Sequence, residues 1–483
     1  MGSIGSSSPP HVVIFPYMAQ GHTIPLLDLS KALAQRSLKV TIITTPANAP
    51  FIISKTSIQP TISLSIIPFP KVQELPEGCE NVNHLPSTDL ISPFLHAIKQ
   101  LKQPFEDVLK EMCNSDRTNP ICVISDMFLP WTLDSCRRFD IPRIVCSGMG
   151  VLPTVLVRTV SSHVPCMSSL SCSEPINFPS VPFPLYKLDF PELVWRGNKK
   201  DPMLPIIAEL GQADYGSWGH IVNSFEELEG DHVAAFESLN QKESKAWLVG
   251  PILLHDRKPD LMSSGSQNGQ KQYIKWLDQQ LEMGSGNVIY VAFGSQSHMT
   301  DIQVEEIALG LEKAGQSFIW VVRSRTWIPP VGWEERVKDR GLVIRDWVDQ
   351  RGILAHPAIG GFWTHCGWNS VLEGLSMGVP LLCWPMGAEQ GLNARYMAMG
   401  LKAGLMVPQE RDAKDDLMTL EHDVICEVVK ELMQGDQGRK ARERAQEFAR
   451  KARQAVGKGG SSDKKLDELI ESLTERQNNS RTI

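Results

Sequence analysis

The chain has no excess of basic residues. Its 48 Lys and Arg stand against 55 Asp and Glu, a net charge of −7, which excludes the electrostatic footprint of a nucleic-acid binder. No apolar run approaches the roughly 20 residues of a membrane span. The opening MGSIGSSSPP lacks the basic and apolar stretches of a secretory signal. The 10 cysteines include no CxxC pair, so no zinc site is legible and the usage suits a reduced compartment. A soluble, cytosolic protein with no nucleic-acid partner and no membrane span is the expectation. What is present is average globular composition, 42% apolar and 21% charged over 483 residues. Single cores stop growing near 250–300 residues. A chain this long is expected to carry two cores with a cleft between them.

Short β-branched runs alternate with helical patterns. HVVIFPY (11–17) reads as a buried strand, 23–36 as a helix with apolar residues at Ile24, Leu27, Leu29 and Leu33, and VTIITT (40–45) as the next strand. That βαβ start implies a parallel sheet. PICVISD (120–126) and RIVCSG (143–148) read as further strands; 150–220, broken by Pro and Ser, reads as loops and short helices. Residues 253–272 are Ser-, Gly- and Gln-rich without periodicity and form the best linker candidate. The alternation then restarts with NVIYVAFGS (287–295), SFIWVVR (317–323), GLVIRDW (341–347), GGFWTHC (360–366) and PLLCWP (380–385), and the tail from 419 is helical and charged. The expected α/β architecture is two doubly wound domains, 1–251 and 273–455, with a linker at 252–272 and a last helix in 456–483. Ligands of such sheets bind beyond the carboxyl ends of the strands. That selects loops 16–22, 126–131, 294–299, 347–350, 365–370 and 385–390.

The densest polar constellation is 347–390. THCGWNSVLEG reads as a strand end, a tight glycine turn and a helix start, with Asn369 and Ser370 as expected N-cap residues. A helix N-terminus binds phosphate through its free N–H groups, and His365 adds a donor. Trp347 offers a flat face for a base, Gln350 and Glu373 offer partners for ribose hydroxyls, and Glu389 and Gln390 lie where sugar hydroxyls could be read.

This block resembles the signature box of plant family-1 UDP-dependent glycosyltransferases: HCGWNS (365–370), Glu373, GVP (378–380) and a terminal Gln390. The likeness continues in PYMAQGH (16–22), NSFEELE (223–229), WLVGP (247–251), FGS (293–295) and GGSS (459–462). One position departs from the family: its usual Pro, third in the box, is Asp349 here. The resemblance implies a GT-B fold, two Rossmann-like domains facing a cleft, and inverting transfer of sugar from a UDP-sugar. It implies Trp347 stacked on uracil with the Val348 backbone at its edge, and Gln350 and Glu373 on the ribose. Ser295, His365, Asn369 and Ser370 would hold the diphosphate, Trp368 would lie near phosphate and sugar, and Glu389 and Gln390 would bind the sugar, a terminal Gln being associated with UDP-glucose. It also implies a monomer whose last helix packs back on the first domain.

His22, at the mouth of the first strand, is the expected general base: a neutral imidazole can take the proton of an attacking hydroxyl. Asp126 ends the 120–126 strand at the same sheet edge, where its carboxylate would fix the tautomer. No DxD motif is present, so no metal cofactor is expected; UDP-glucose is a substrate. The acceptor is expected to be a small apolar plant metabolite such as a flavonoid, phenol or terpenoid. Tyr17, Met127, Phe128, Trp131, Met149, Phe190 and Met386 are candidates for lining its pocket, although Met127, Phe128 and Trp131 equally suit a core. The alternatives are a non-catalytic UDP-sugar-binding protein, another UDP-sugar donor, or a glycoside acceptor. A nicotinamide dehydrogenase is discarded, because YMAQGH replaces the GxGxxG that it needs after the first strand.

Overall fold

The computed structural model describes residues 9–56, 61–114, 119–161, 170–179, 181–195, 201–255, 267–294, 299–409 and 419–482. They fall into two compact units. The first comprises 1–158, 198–260 and 454–483, the second 159–197 and 261–453. Residues 159–197, read from sequence as part of a 1–251 domain, thus group with the second unit.

The first unit holds β1 (His11–Phe15), β2 (Lys39–Thr44), β3 (Ile62–Ile66), β4 (Pro120–Asp126), β5 (Arg143–Ser147), β6 (Gly219–Val222) and β7 (Lys245–Leu248), in the order β3-β2-β1-β4-β5-β6-β7. The second holds β8 (Val288–Ala292), β9 (Ser317–Val321), β10 (Gly341–Ile344), β11 (Ile359–Thr364), β12 (Leu381–Cys383) and β13 (Gly404–Met406), in the order β10-β9-β8-β11-β12-β13. Every pairing is parallel. Both are doubly wound, Rossmann-like sheets flanked by helices.

A strand covered on both faces needs apolar side chains at successive positions rather than in alternation. HVVIF in β1 and VIYVA in β8 meet that need, buried at every position. The pleat sends Val12 and Ile14 into one core and Val13 and Phe15 into another. The first of these cores also takes Leu26, Leu29 and Leu33 of the helix Gln20–Gln35, and Leu466, Leu469 and Leu473 of the last helix, Ser461–Thr482. Ser462 fixes that helix by donating to the Gly250 carbonyl (2.5 Å), and Arg36 pairs with Asp463 and Asp467. Burying each leucine stabilises by about 1.5–3 kcal/mol.

Four strands, β3, β6, β7 and β13, were not read from sequence. The 150–220 stretch holds helices Val151–Ser161 and Met203–Tyr215 besides loops. Of the expected 252–272 linker, 256–266 lies outside the described residues; Ile252–Leu254 is a 3-10 turn, and the helix Gln267–Glu282 starts before 272.

In each sheet the strand order reverses once, between β1 and β4 and between β8 and β11. Loops leaving neighbouring strands there diverge to opposite faces and open a crevice. His22 and Asp126 follow the first reversal, and Gly294 and His365 the second.

Candidate active site

In the first unit, β1 ends at Phe15, paired with Ser125 of β4. The chain turns and enters the helix Gln20–Gln35, with His22 its third residue. The Gln20 N–H donates to the Asn83 side chain (3.0 Å), anchoring this start. Asp126 is the last residue of β4, so the register puts it beside the same loop. His22 Nδ1 lies 2.8 Å from Asp126 Oδ2. The carboxylate is almost fully buried (2%), whereas the imidazole keeps 23% of its side-chain surface. Asp126 Oδ1 accepts the Phe128 N–H (2.9 Å), so both oxygens are held. The imidazole meets Tyr17 and Phe128 edge-on, each at 5.4 Å between ring centroids. A Cβ on Gly148 would come within 3.1 Å of His22 Cε1, so the turn after β5 lies against that corner of the ring. Burial, followed by the Asp126 charge, pushes the Tyr17 hydroxyl pKa up. Tyr17 is therefore a protonated wall of the site.

Behind this pair lies Arg143, the first residue of β5 and 1% exposed. It donates to Ser125 Oγ (2.8 Å), Thr132 Oγ1 (2.9 Å), Ser217 Oγ (2.8 Å) and the carbonyls of Ala213 (3.2 Å), Asp126 (3.3 Å) and Leu129 (3.5 Å). One guanidinium thus ties down the whole loop that carries Asp126. Sequence reasoning missed it; the signal was a lone arginine heading an otherwise apolar strand.

The acceptor candidates separate. Tyr17, Met127, Phe128 and Met149 surround His22 or lie on the adjoining loops, the last three partly exposed. Trp131 is core: its ring packs edge-on against Phe15 (5.8 Å) and Phe105 (5.6 Å). Phe190 is buried within the second unit, and Met386 is half-buried on that unit's 385–389 loop.

In the second unit, His365 follows β11 and stands between two glycines. A Cβ on Gly294 or Gly367 would lie 2.8 or 2.6 Å from its Nε2; side chains at either position would displace the ring. Burial pushes the His365 pKa down to about 4, so the imidazole is neutral at pH 7. Its Nδ1 is shut from solvent with no hydrogen-bond partner among the described residues. Ser295 lies outside the described residues.

The helix after His365 is Trp368–Met377, with Gly367 as N-cap and no side-chain cap bond. Asn369 and Ser370 are therefore not the caps expected; they occupy the second and third helical positions. The Ser370 hydroxyl instead accepts from Gln350 Nε2 (3.0 Å). The same amide donates to Glu373 Oε2 (2.7 Å), and Arg351 Nε donates to Glu373 Oε1 (3.0 Å). The Tyr290 hydroxyl, inside β8, donates to Gln350 Oε1 (3.1 Å). Gln350 and Glu373 are thus one preformed unit, braced by Tyr290 and Arg351, two residues that sequence reasoning missed. Trp368 is buried; Trp347 is 40% exposed and Val348 6%.

Asp349, the departure from the family pattern, caps the short helix Gln350–Leu354 by accepting the Gly352 N–H (3.2 Å), and its own N–H donates to Tyr273 Oη (3.4 Å). Proline could do neither. Beyond β12, Glu389 Oε1 accepts from Asn393 Nδ2 (3.3 Å), and Gln390 Oε1 accepts the N–H groups of Met386 (2.9 Å) and Gly387 (3.1 Å). Gln390 therefore shapes the loop that precedes it. Among the described residues, no group of three or more His, Cys, Asp or Glu could hold a metal ion, and no helix is long and apolar enough to cross a membrane.

The first unit thus holds a buried carboxylate–imidazole pair beyond a strand end, and the second unit holds a neutral histidine and an amide–carboxylate pair at a helix start. Comparison with known proteins identifies the family. The family model for UDP-glucoronosyl and UDP-glucosyl transferase matches residues 268–434. The scopoletin glucosyltransferase of Nicotiana tabacum is 37% identical over 480 residues, 96% of this chain and 98% of its own. A Glycyrrhiza uralensis glycosyltransferase, solved with glycyrrhetinic acid 3-O-monoglucuronide, superposes with a TM-score of 0.86 at 29% identity, covering 98% of each chain. A Phytolacca americana one, solved with UDP-2fluoro-glucose and pterostilbene, gives 0.79 at 29%, covering 96% of this chain and 100% of that one. The chain belongs to the plant UDP-glycosyltransferases: it is a glycosyltransferase of GT-B fold, acting on small molecules.

Proposed function

We propose that this enzyme transfers glucose from UDP-glucose, with inversion, to a hydroxyl of a small apolar plant metabolite. The observation that carries the reading is the 2.8 Å contact between His22 Nδ1 and the buried Asp126 carboxylate. With the Nδ1 proton committed to that carboxylate, Nε2 carries the lone pair. Nε2 takes the acceptor's hydroxyl proton as the oxygen attacks C1 of the glucose. The C1–O bond to the diphosphate breaks, UDP departs from the opposite face, and α becomes β. Asp126 stabilises the resulting imidazolium and remains ionised.

The second unit would hold the donor. Trp347 and the Val348 backbone would take the uracil, Gln350 and Glu373 the ribose, and Glu389 and Gln390 the hexose. The diphosphate falls to His365, Asn369, Ser370, Ser295 and the N-terminus of the helix Trp368–Met377, where N–H groups meet negative charge growing on the leaving group. Neutral donors suffice in this scheme, so turnover needs no metal, and a single chain carries every group named. The tobacco relative's name and the ligand of the Phytolacca structure support a phenolic hydroxyl as acceptor.

The test is incubation with UDP-glucose and a panel of phenolic and terpenoid acceptors, with EDTA present. Mass spectrometry should show a gain of one hexose, with a β coupling at the anomeric proton. Absence of UDP release above blank with every acceptor would defeat the reading, and an α product would defeat the single-displacement mechanism. Asp126→Asn, which leaves His22 without the carboxylate that fixes its tautomer, should lower kcat by up to about 10⁴, while leaving UDP affinity unchanged.

A further inference from the structure

The short helix Gln390–Arg395 begins with the residue placed on the hexose, and it does not stand alone. Residues 186–190, belonging to a stretch that in sequence separates two helices of the first half, lie against it within the second unit. At one end, the helix's second residue has no room for a side chain: a Cβ on Gly391 would fall 2.5 Å from the Asp189 carbonyl oxygen and 2.7 Å from its Cα. At the other end, Arg395 Nε donates to both oxygens of Asp189 (2.9 and 3.0 Å). The Arg395 guanidinium also lies over the Tyr186 ring (4.7 Å), and Tyr396 stacks with Phe183 (6.5 Å). Asp189 is 6% exposed and accepts the Tyr186 N–H as well (2.7 Å), so the carboxylate closes its own 3-10 turn while it grips the helix. Burial raises the Asp189 pKa against the pull of Arg395, the mark of an ion pair formed at a desolvation cost.

We propose that residues 186–190 buttress the donor-sugar corner at Glu389 and Gln390, with Asp189 and Arg395 as positioning residues that set how firmly the hexose of the UDP-sugar is held. The inference rests on Gln390 binding the sugar. The physical argument is short. Gln390 fixes the 386–387 backbone with its side-chain oxygen, so a shift of its helix moves the whole corner. The Gln350–Glu373 pair hangs on other elements and stays in place. Asn393 of the same helix donates to the Cys366 carbonyl beside the diphosphate loop (3.0 Å), but the hexose corner is the part the helix carries directly, so hexose affinity should fall much further than nucleotide affinity.

The experiment measures KM for UDP-glucose, Ki for UDP and thermal stability in Gly391→Ala, Asp189→Asn, Arg395→Lys and Gln390→Ala. Gly391→Ala pushes the buttress away while keeping both charged partners, and Arg395→Lys keeps the charge but not the paired contact. We expect KM for UDP-glucose to rise between about tenfold and a hundredfold in Gly391→Ala and Asp189→Asn, the range that a displacement near 1 Å can cost. Arg395→Lys should fall between these variants and the parent, and Ki for UDP should stay within about twofold, the size of a lost weak contact. Folded variants with unchanged KM, or with KM and Ki rising in proportion, would overturn the buttress while leaving the proposed function standing. A Gln390→Ala variant with an unaltered ratio of KM to Ki would instead remove Gln390 from the sugar site, and the buttress with it.

Discussion

His365 makes the sharpest pH prediction. Burial lowers its pKa from 6.5 to about 4, so the folded protein binds this proton less well than the unfolded chain does. The stability associated with the neutral ring is complete above pH 6.5 and is lost as pH falls toward 4. At 1.36 kcal/mol per pH unit, the full loss is about 3 kcal/mol, reduced by whatever water reaches the exposed edge of the ring. The perturbation is His365→Asn, read by urea unfolding at pH steps from 4.5 to 7.5. Between pH 6 and 4.5 the parent should lose stability more steeply than the variant, by up to about 1.4 kcal/mol per unit, and above pH 7 the two curves should run parallel. UDP affinity of the parent should not tighten as pH falls from 8 to 5.5, because the imidazole gains no positive charge there. Parallel stability curves across the acid range, or tenfold tighter UDP binding at pH 5.5, would show an imidazolium and refute the reasoning.

Other expectations follow from the same geometry. Arg143→Met removes the buried cation that lies 3.8 Å from the Asp214 carboxylate and donates to six oxygens; it should cost about 3–5 kcal/mol, seen as a lower Tm, with Arg143→Lys recovering part of it. Asp349→Pro removes the cap on Gly352 and the N–H to Tyr273; it should cost about 1 kcal/mol while UDP affinity, measured by calorimetry, changes less than twofold. Leu469→Ala should lower stability by about 2–5 kcal/mol through the cavity left under the last helix, with KM for UDP-glucose unaffected.

How far the chain could be read in advance varies by element. Both sheets were legible where strands are long and apolar on both faces: HVVIF, PICVISD, VIYVA and SFIWV leave little alternative to a buried parallel strand. GHIV of β6, KAWL of β7 and GLM of β13 were not, since three or four residues give too little pattern and neighbouring strands determine their state. ISLSI of β3 is an edge strand, polar on alternate positions. The placement of 159–197 was invisible because its ties to the second unit, Asp189 to Arg395 among them, span about 200 residues of sequence. At the site, His22 and Asp126 could be paired by counting from strand ends, because parallel neighbours bring their carboxyl ends together. Cap assignments failed where a side chain had a better partner elsewhere: the Ser370 hydroxyl went to Gln350, not to its own helix. Arg143, Tyr290 and Arg351 were missed because a residue that braces another carries no motif of its own.

The most direct measurement compares His22→Ala with the parent in two assays at once, initial rate at saturating UDP-glucose and acceptor, and UDP affinity by calorimetry. Loss of a general base predicts a rate lower by about 10²–10⁴, with UDP bound as tightly as before. A variant that keeps its rate, or one that loses rate and UDP affinity together, would contradict the assignment of His22 as the group that takes the acceptor's proton.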